Sequence, residues 1–120
     1  MWLRRAITIS ITALCAFCAA PTAFAQQDAT LARAKQLIDS KQPQAAFDLL
    51  DPLEQTRAGD PDFDYLLGVA AIDAGKLTRG VFALERVLAV NPNNAQARAK
   101  QEKNSAGAIL EMTMELGLWP

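Results

Sequence analysis

The sequence predicts an all-α chain in which two helical hairpins stack into an α-solenoid and a further helix caps the last hairpin. Three observations favour this fold class. Apolar residues recur every three or four positions, which is the spacing of one helix face. Short polar turns that contain glycine or proline separate the periodic segments. The layout appears twice, with an offset of 34 residues between the copies, which is typical of a helical repeat.

The clearer hairpin is predicted for residues 61–94. Its first helix should begin at Asp60 or Pro61, because proline fits the first helical turn and acidic residues are favourable there. Gly75 follows this helix where a left-handed cap is wanted. The second helix is predicted for residues 79–90, and the run Asn91-Pro92-Asn93-Asn94 should end it.

Two mid-helix glycines predict a close contact between the helices of this hairpin. Gly68 lies on the first helix and Gly80 on the second. A mid-helix glycine costs about 1 kcal/mol relative to alanine, so both positions indicate a packing benefit. Without a side chain at either point the two backbones approach closely, and the larger neighbouring residues interdigitate.

A diverged copy of the hairpin is predicted for residues 26–60. Ala34 and Ala46 occupy the small positions of its two helices. Lys41 lies in the turn, where this copy has no glycine. Pro52 falls within the predicted second helix, where it removes a hydrogen bond and should introduce a bend.

Residues 95–120 are predicted to form either a capping helix or a truncated third repeat. The segment favours a helix, and a solenoid needs its last apolar face covered. We expect the chain to fray after Gly117. The stripe predicted on this helix consists of Ser105, Ala108, Ile109, Met112 and Leu116.

The hairpin at residues 61–94 resembles a tetratricopeptide repeat, a helix-turn-helix unit of 34 residues. Ala71 replaces the usual tyrosine of that pattern, and Val87 is bulkier than the usual alanine. The resemblance implies a protein-interaction module whose first helices line a concave binding surface. With Pro61 as the first position, the matching residues are Leu67, Gly68, Gly75, Gly80, Leu84 and Pro92.

The segments 63–71 and 81–88 are also similar to repeats of longer exported bacterial proteins. Among these are the periplasmic N-terminal domains of surface-lipoprotein assembly modulators, which precede an outer-membrane β-barrel. This second likeness covers the repeats only, so it implies no barrel function. It leaves open the alternative that the chain is a truncated N-terminal fragment of a larger outer-membrane assembly protein.

Residues 1–25 are predicted to be a signal peptide. Arg4 and Arg5 form its basic start, residues 6–20 carry no charge, and Ala23-Phe24-Ala25 gives the pattern that a signal peptidase cleaves after Ala25. The alternative is a membrane anchor, which would need about 20 strongly apolar residues and is not interrupted by proline as this run is at Pro21. We therefore expect a periplasmic or secreted protein that is not stably inserted in a membrane after cleavage.

Composition narrows the chemistry of this predicted mature chain. The sequence has no histidine, and both cysteines, Cys15 and Cys18, lie in the signal peptide. Histidine bases, thiolate nucleophiles and soft-metal sites are thereby excluded, and we expect no cofactor and no metal. Without Arg4 and Arg5, 10 basic residues face 13 acidic ones, a net charge of −3. A mildly acidic chain is not a nucleic-acid binder.

The resemblance also implies which residues would line a partner-binding groove. Tyr65, Val69 and Ile72 would offer an apolar stripe for a helix or an extended peptide of a protein partner. The alternative is that these three residues pack on the neighbouring helix, because short arrays bury much of either face. The full set of predicted groove residues is Lys35, Ile38, Asp39, Tyr65, Val69, Ile72 and Asp73.

The predicted function is that of a scaffold or adaptor, and no enzymatic activity is expected. The rival hypothesis is a small all-α hydrolase that uses the carboxylates of the run Asp60-Pro61-Asp62-Phe63-Asp64. Carboxylate oxygens also suit calcium, but the run lacks the glycine and the spacing of a calcium loop. Its position at a helix start favours a structural role for these charges.

Overall fold

The computed structural model describes residues 22–118, which are helical throughout apart from short turns. The all-α prediction is thereby confirmed. Residues 1–21, which hold most of the predicted signal peptide, lie outside the described residues. The helices are α1 Thr22–Asp39, α2 Pro43–Leu50, α3 Glu54–Arg57, α4 Pro61–Asp73, α5 Leu77–Val90 and α6 Ala95–Glu115, and a 3-10 turn, Asp51–Leu53, joins α2 to α3.

The bend predicted at Pro52 is present. Helix α2 ends at Leu50, and the chain tightens into the 3-10 turn before α3 continues. Pro52 lies in the first residues of this turn, where its missing N–H breaks no α-helical hydrogen bond. The second helix of the first hairpin is therefore divided in two, and its second part carries Glu54 and Arg57 toward the next hairpin.

The predicted start of α4 at Asp60 or Pro61 is confirmed by its capping geometry. The Asp60 carboxylate accepts hydrogen bonds from the backbone N–H of Asp62 at 3.1 Å and of Phe63 at 3.5 Å. Pro61 takes the first helical position, where its missing N–H breaks no helical hydrogen bond. An N-cap of this kind is worth about 1 kcal/mol.

Gly75 ends α4 in the left-handed conformation that the sequence predicts, with φ of 84°. The Lys76 N–H donates to the Ala71 carbonyl at 2.8 Å, and the Gly75 N–H donates to the Ile72 carbonyl at 3.0 Å. These two bonds form a Schellman motif, which satisfies carbonyls that a helix end otherwise leaves unpaired.

Helix α1 ends with the same motif although it lacks a glycine. Lys41 takes φ of 60°, the Gln42 N–H donates to the Leu37 carbonyl at 2.8 Å, and the Lys41 N–H donates to Ile38 at 3.0 Å. A left-handed residue other than glycine costs roughly 1–2 kcal/mol. Gly117, with φ of 66°, caps α6. The fraying expected after Gly117 concerns residues 119 and 120, which lie outside the described residues.

The close approach predicted at Gly68 and Gly80 is confirmed. A Cβ atom built on Gly68 would lie 2.8 Å from the side chain of Leu84 and 3.2 Å from the Gly80 carbonyl oxygen. A Cβ atom on Gly80 would lie 2.9 Å from the Gly68 carbonyl oxygen and 3.0 Å from the Ile72 nitrogen. The α4 and α5 backbones therefore touch where neither residue has a side chain.

Two apolar clusters lie between successive layers of helices. The first joins α1 and α2 to α4 and, through Ala83, to α5, and the second joins α4 and α5 to α6. The buried members of the first are Ala34, Ala46, Phe47, Leu50, Phe63, Leu67, Ala70, Ala71 and Ala83. Those of the second are Ile72, Leu84, Val87 and Ala97.

Helix α6 caps the second hairpin by packing along α5. Thr78 lies in the first turn of α5, and its N–H donates to the Glu111 carboxylate of α6 at 2.8 Å. The Thr78 hydroxyl donates to the Ala108 carbonyl at 3.2 Å. Glu111 thus satisfies an N–H that α5 cannot pair within its own helix. Among the helices of residues 22–118, none has the length and apolar character that a bilayer span needs.

The prediction that the apolar stripe of α6 is covered is wrong for Ile109 and Leu116. Ala108 is buried, but Ile109 is 65% exposed and Leu116 is 64% exposed. The reason is a close contact at Gly107, where an added Cβ atom would lie 2.6 Å from a methyl carbon of Leu77. Since α6 rests on α5 through small residues, its bulky residues are turned outward.

Candidate functional site

Helices α1, α4 and α6 all contribute residues to one side of the array. A depression of about 450 Å³ opens where the three helices meet. Two of the predicted groove residues, Lys35 and Tyr65, lie on its wall. The lining residues are Leu31, Ala32, Lys35, Pro61, Asp62, Tyr65, Leu66, Asn91, Asn94 and Gln96.

Two further depressions on this side contain most of the other predicted residues. One, of about 550 Å³, lies between α1, the start of α2 and the end of α4, and it is lined by Ile38, Asp39 and Asp73 together with Lys41 and Pro43. The other, of about 430 Å³, lies between α4 and α6. Its lining residues are Ile72, Asp73, Gln96, Ala99, Lys100, Lys103 and Asn104. Asp73 borders both depressions, so they adjoin.

The apolar residues of the predicted groove differ in how much surface they offer. Val69 and Ile72 are each only 8% exposed. Ile72 belongs to the second apolar cluster, and Tyr65 packs against that cluster while half-buried. The Tyr65 hydroxyl lies 3.3 Å from the side-chain oxygen of Gln96, which accepts its hydrogen bond. Tyr65 is therefore the main apolar contact surface of this stripe, and the other two residues form the floor beneath it.

The charges of this face are mixed in sign. Lys100 of α6 pairs with Asp73 of α4 at 2.8 Å, an ion pair that connects the two helices across the groove. Both side chains stay partly exposed, so the pair adds little stability, on the order of 0–1 kcal/mol. Lys35 and Asp39 on α1 are exposed. This face therefore presents both positive and negative groups rather than a field of one sign.

The carboxylates of the run 60–64 are held by donors of the chain itself. Asp60 caps α4 and also accepts from Arg57 at 2.6 Å. Asp64 is completely buried, and its carboxylate accepts from the Gly59 N–H at 2.7 Å and from Arg86 at 2.8 Å. The carboxylate site that the hydrolase hypothesis needs therefore finds no support in this geometry, because Asp64 has no access to substrate.

The buried Asp64 belongs to an ion-pair network that joins the two hairpins. Arg86 of α5 contacts both Asp64 and Glu54, the latter at 2.8 Å. Arg79, also on α5, contacts Glu54 at 2.6 Å and forms a second ion pair with Asp51. The network connects the divided second helix of the first hairpin to both helices of the second, and it lies away from the groove.

Proton affinities in the network follow from these contacts. Burial raises the pKa of the Glu54 carboxyl, but hydrogen bonds from Arg79 and Arg86 and their charges outweigh burial and bring the pKa below its usual value. The hydrogen bond to Asp64 is the largest influence on Arg86 and raises the pKa of its guanidinium. The Glu54 carboxylate and the Arg86 guanidinium therefore stay charged at neutral pH.

Sequence reasoning did not find this network or the Thr78–Glu111 contact. Arg86 lies 22 residues from Asp64 and 32 from Glu54, and periodicity does not report contacts at such separations. The sequence did contain one indication of the network, because Asp64 lies among the core positions of α4. A carboxylate at a buried helix position predicts a cationic partner. Within residues 22–118, no group of three or more potential ligand side chains is placed to hold a metal ion.

Comparison with known proteins gives one match. The family model described as "Tetratricopeptide repeat" matches residues 37–103, which is more than half of the chain. The matched span begins in α1 and ends in α6, so it includes all of α2, α4 and α5. No curated protein and no solved structure matches the chain.

Proposed function

Because the chain belongs to the tetratricopeptide repeat family, a protein-interaction fold, we propose that it is a scaffold or adaptor that docks a segment of a protein partner on the concave face of α1, α4 and α6. The observation that carries this proposal is the depression of about 450 Å³ beside Tyr65. Its volume is in the range of natural ligand sites. A large apolar side chain of the partner would enter it.

The lining of the depression supports an amphipathic partner segment. Leu31 and Leu66 supply apolar wall, while Tyr65 combines an apolar ring with a hydroxyl at the rim. Tyrosine is enriched at binding hot spots because it offers large contact area at low entropic cost. Lys35 on one wall and Asp62 on another provide charges that set the direction of the segment.

The test uses peptides selected from a random display library on the purified protein. Tyr65→Ala should weaken their binding by about 30-fold, as for a hot-spot residue, and Tyr65→Phe should retain most of the affinity because it keeps the ring. Phe82→Ala is the matched control, since Phe82 is an aromatic residue 45% exposed on α5 and does not line this depression.

The outcomes separate the proposal from its rivals. Binding that survives Tyr65→Ala but is lost with Phe82→Ala would place the partner on the α5 side and refute the groove. Failure to select any binding peptide, with the fold intact by circular dichroism, would equally count against it. Turnover of a substrate abolished by Asp62→Ala would instead support the hydrolase.

We further propose that the protein meets its partner in the periplasm or outside the cell. The support is the N-terminal sequence, in which Arg4 and Arg5 precede an uncharged run and Ala23-Phe24-Ala25 precedes the cleavage point. The mass of the protein isolated from cells should correspond to a chain that begins at Gln26. Recovery of the uncleaved chain from the cytoplasm would contradict the proposal.

A further inference from the structure

The three depressions on the groove side share lining residues where they meet. Gln96 borders both the depression beside Tyr65 and the one between α4 and α6. Asp73 borders the latter depression and the one at the start of α2. The three depressions, called the three-part groove below, therefore follow α4 from its first turn to its end. This is a length of about 20 Å, because α4 has 13 residues and each rises roughly 1.5 Å.

The lining of the three-part groove is positive in a chain that is otherwise negative. Four lysines and three aspartates line it, a net charge of +1. The rest of residues 22–118 contains six basic and ten acidic residues, a net charge of −4. An acidic segment is therefore attracted to the three-part groove and repelled by the rest of the chain. The lysines are Lys35, Lys41, Lys100 and Lys103, and the aspartates are Asp39, Asp62 and Asp73.

Helix α6 brings two of these lysines together on one wall. Lys100 and Lys103 are three positions apart, so their ammonium groups share a face of the helix, where like charges repel each other. Asp73 neutralises Lys100 at 2.8 Å. Lys103 is exposed and pairs with no carboxylate among the described residues. No acidic residue lies three or four positions from it along α6, so the wall keeps one uncompensated positive charge.

Gln96 extends the same wall with a further hydrogen-bond donor. It lies four positions before Lys100 and therefore on the same face of α6. Its side-chain oxygen accepts from the Tyr65 hydroxyl at 3.3 Å, and its amide NH2 group is the donor of this side chain. From Gln96 to Lys103 the α6 wall is thus suited to an acceptor that carries negative charge.

We propose that the three-part groove binds an acidic segment of the protein partner, in which a large apolar side chain enters the depression beside Tyr65 and an aspartate or glutamate side chain pairs with Lys103. This inference rests on the proposed function and names the chemistry of the partner. The carboxylate supplies the negative charge that the α6 wall lacks, while Asp73 continues to neutralise Lys100.

The spacing between the two contacts follows from α6. Gln96, beside Tyr65, and Lys103 are seven positions apart, which is about 10 Å along the helix. An extended segment covers this distance in about three residues, since each spans roughly 3.3 Å. The acidic residue should therefore lie about three positions from the apolar one in an extended partner, or about seven positions from it in a helical partner.

Peptides selected from the random display library test the proposal. They are resynthesised with acetylated and amidated ends, so that only side chains carry charge. Acidic residues should be enriched over basic ones. Lys103→Ala should weaken binding by about 3-fold and Lys103→Glu by about 10-fold at low ionic strength, and both effects should shrink in about 0.5 M salt because the contact is exposed. Arg33→Glu is the matched control, since Arg33 is exposed on α1 and lines none of the three depressions.

Charge reversal on both sides identifies the contact itself. Each acidic residue of a selected peptide is replaced in turn by lysine. One of these peptides should bind the Lys103→Glu protein about as tightly as the original peptide binds the wild type, although either change alone weakens binding. Circular dichroism verifies that the variants fold. Enrichment of basic residues, binding that tolerates Lys103→Glu, or the failure of every lysine peptide to restore binding would overturn the proposal.

The acidic partner and the groove fail distinguishably. Peptides that lose binding with Tyr65→Ala but tolerate Lys103→Glu refute the acidic partner and leave the proposed function intact. Peptides that tolerate both changes refute the groove, and the acidic partner with it.

Discussion

Replacing Gly80 with alanine should destabilise the protein even though alanine is the better helix former. In an exposed helix interior this change stabilises by about 1 kcal/mol. At Gly80 the new methyl group meets the Gly68 carbonyl oxygen at 2.9 Å and the Ile72 nitrogen at 3.0 Å. Both are backbone atoms, so relief requires a whole helix to move rather than a side chain to rotate.

The expected magnitude follows from the two opposing contributions. Overpacking of a tight core costs about 1–3 kcal/mol, and contact with backbone lies at the upper end of that range. Subtracting the helix-propensity gain leaves a net loss of about 2 kcal/mol for Gly80→Ala. Gly68→Ala meets mainly the side chain of buried Leu84, and its backbone contact with the Gly80 carbonyl oxygen is longer, at 3.2 Å, so we expect a smaller loss of about 0.5–1 kcal/mol.

Gly107→Ala is the internal control. Its methyl group meets the end of the Leu77 side chain, which is partly exposed and can rotate away. Helix propensity then dominates, and the variant should equal or slightly exceed the wild type in stability. Urea unfolding followed by far-ultraviolet circular dichroism gives the three free energies of unfolding. The reasoning is refuted if Gly80→Ala is as stable as the wild type, or if Gly107→Ala is the most damaging of the three.

Three other changes test the helix ends and the ion-pair network by the same unfolding measurement. Lys41→Gly should raise the free energy of unfolding by about 0.5–1 kcal/mol, since it removes the strain of a lysine held in the left-handed conformation. A loss of stability would show that φ of 60° does not strain Lys41. Arg86→Met should cost about 3 kcal/mol because it leaves buried Asp64 without its cation, and adding Asp64→Asn should recover part of the loss. The folded pKa of Glu54 lies below its usual value of 4.5, so the stability that it contributes is complete above about pH 4.5 and is lost as pH falls through the lowered pKa. Glu54→Gln should therefore flatten the acid side of the stability profile, and an unchanged profile would exclude Glu54 as a source of it.

The parts of the fold that the sequence predicted correctly are those governed by local physics. Gly75 and Pro61 mark helix ends because their backbone preferences act at the residue itself. Pro52 breaks the second helix for the same reason. Gly68 and Gly80 predicted the close approach of α4 and α5. A glycine within a helix lowers the stability of that helix, and a tightly packed neighbouring helix explains why it is there.

The prediction for α6 failed because periodicity identifies an apolar face without saying what covers it. Ile109 and Leu116 were placed on the covered face, whereas α5 contacts Gly107 and Ala108. The argument from Gly68 and Gly80 applied equally to Gly107 and would have given the correct side. Periodicity favours large residues as core, and it misleads where two helices approach through small ones.

The structure shows how much surface the predicted groove residues expose, which the sequence did not indicate. The resemblance placed the groove on the first helices, and the structure brings Lys35 and Tyr65 to one depression there. It did not indicate that Val69 and Ile72 would be almost covered, because their burial depends on the helix packed beside them. Ala97 of α6 supplies part of the cover of Ile72, and α6 also supplies a wall of the depression through Gln96.

Helix α6 is held against the second hairpin at both of its halves. Its position is set by the Thr78–Glu111 and Asp73–Lys100 contacts, one at each part of the helix. Removing the Glu111 carboxylate would leave the Thr78 N–H unpaired and loosen the half of α6 that carries Ile109, while Lys100 would still hold the half beside Tyr65. Peptide binding beside Tyr65 should thus be less sensitive to Glu111→Ala than to Lys100→Ala. The reverse sensitivity would mean that the two ends of α6 do not act separately, and that the groove depends on the whole helix.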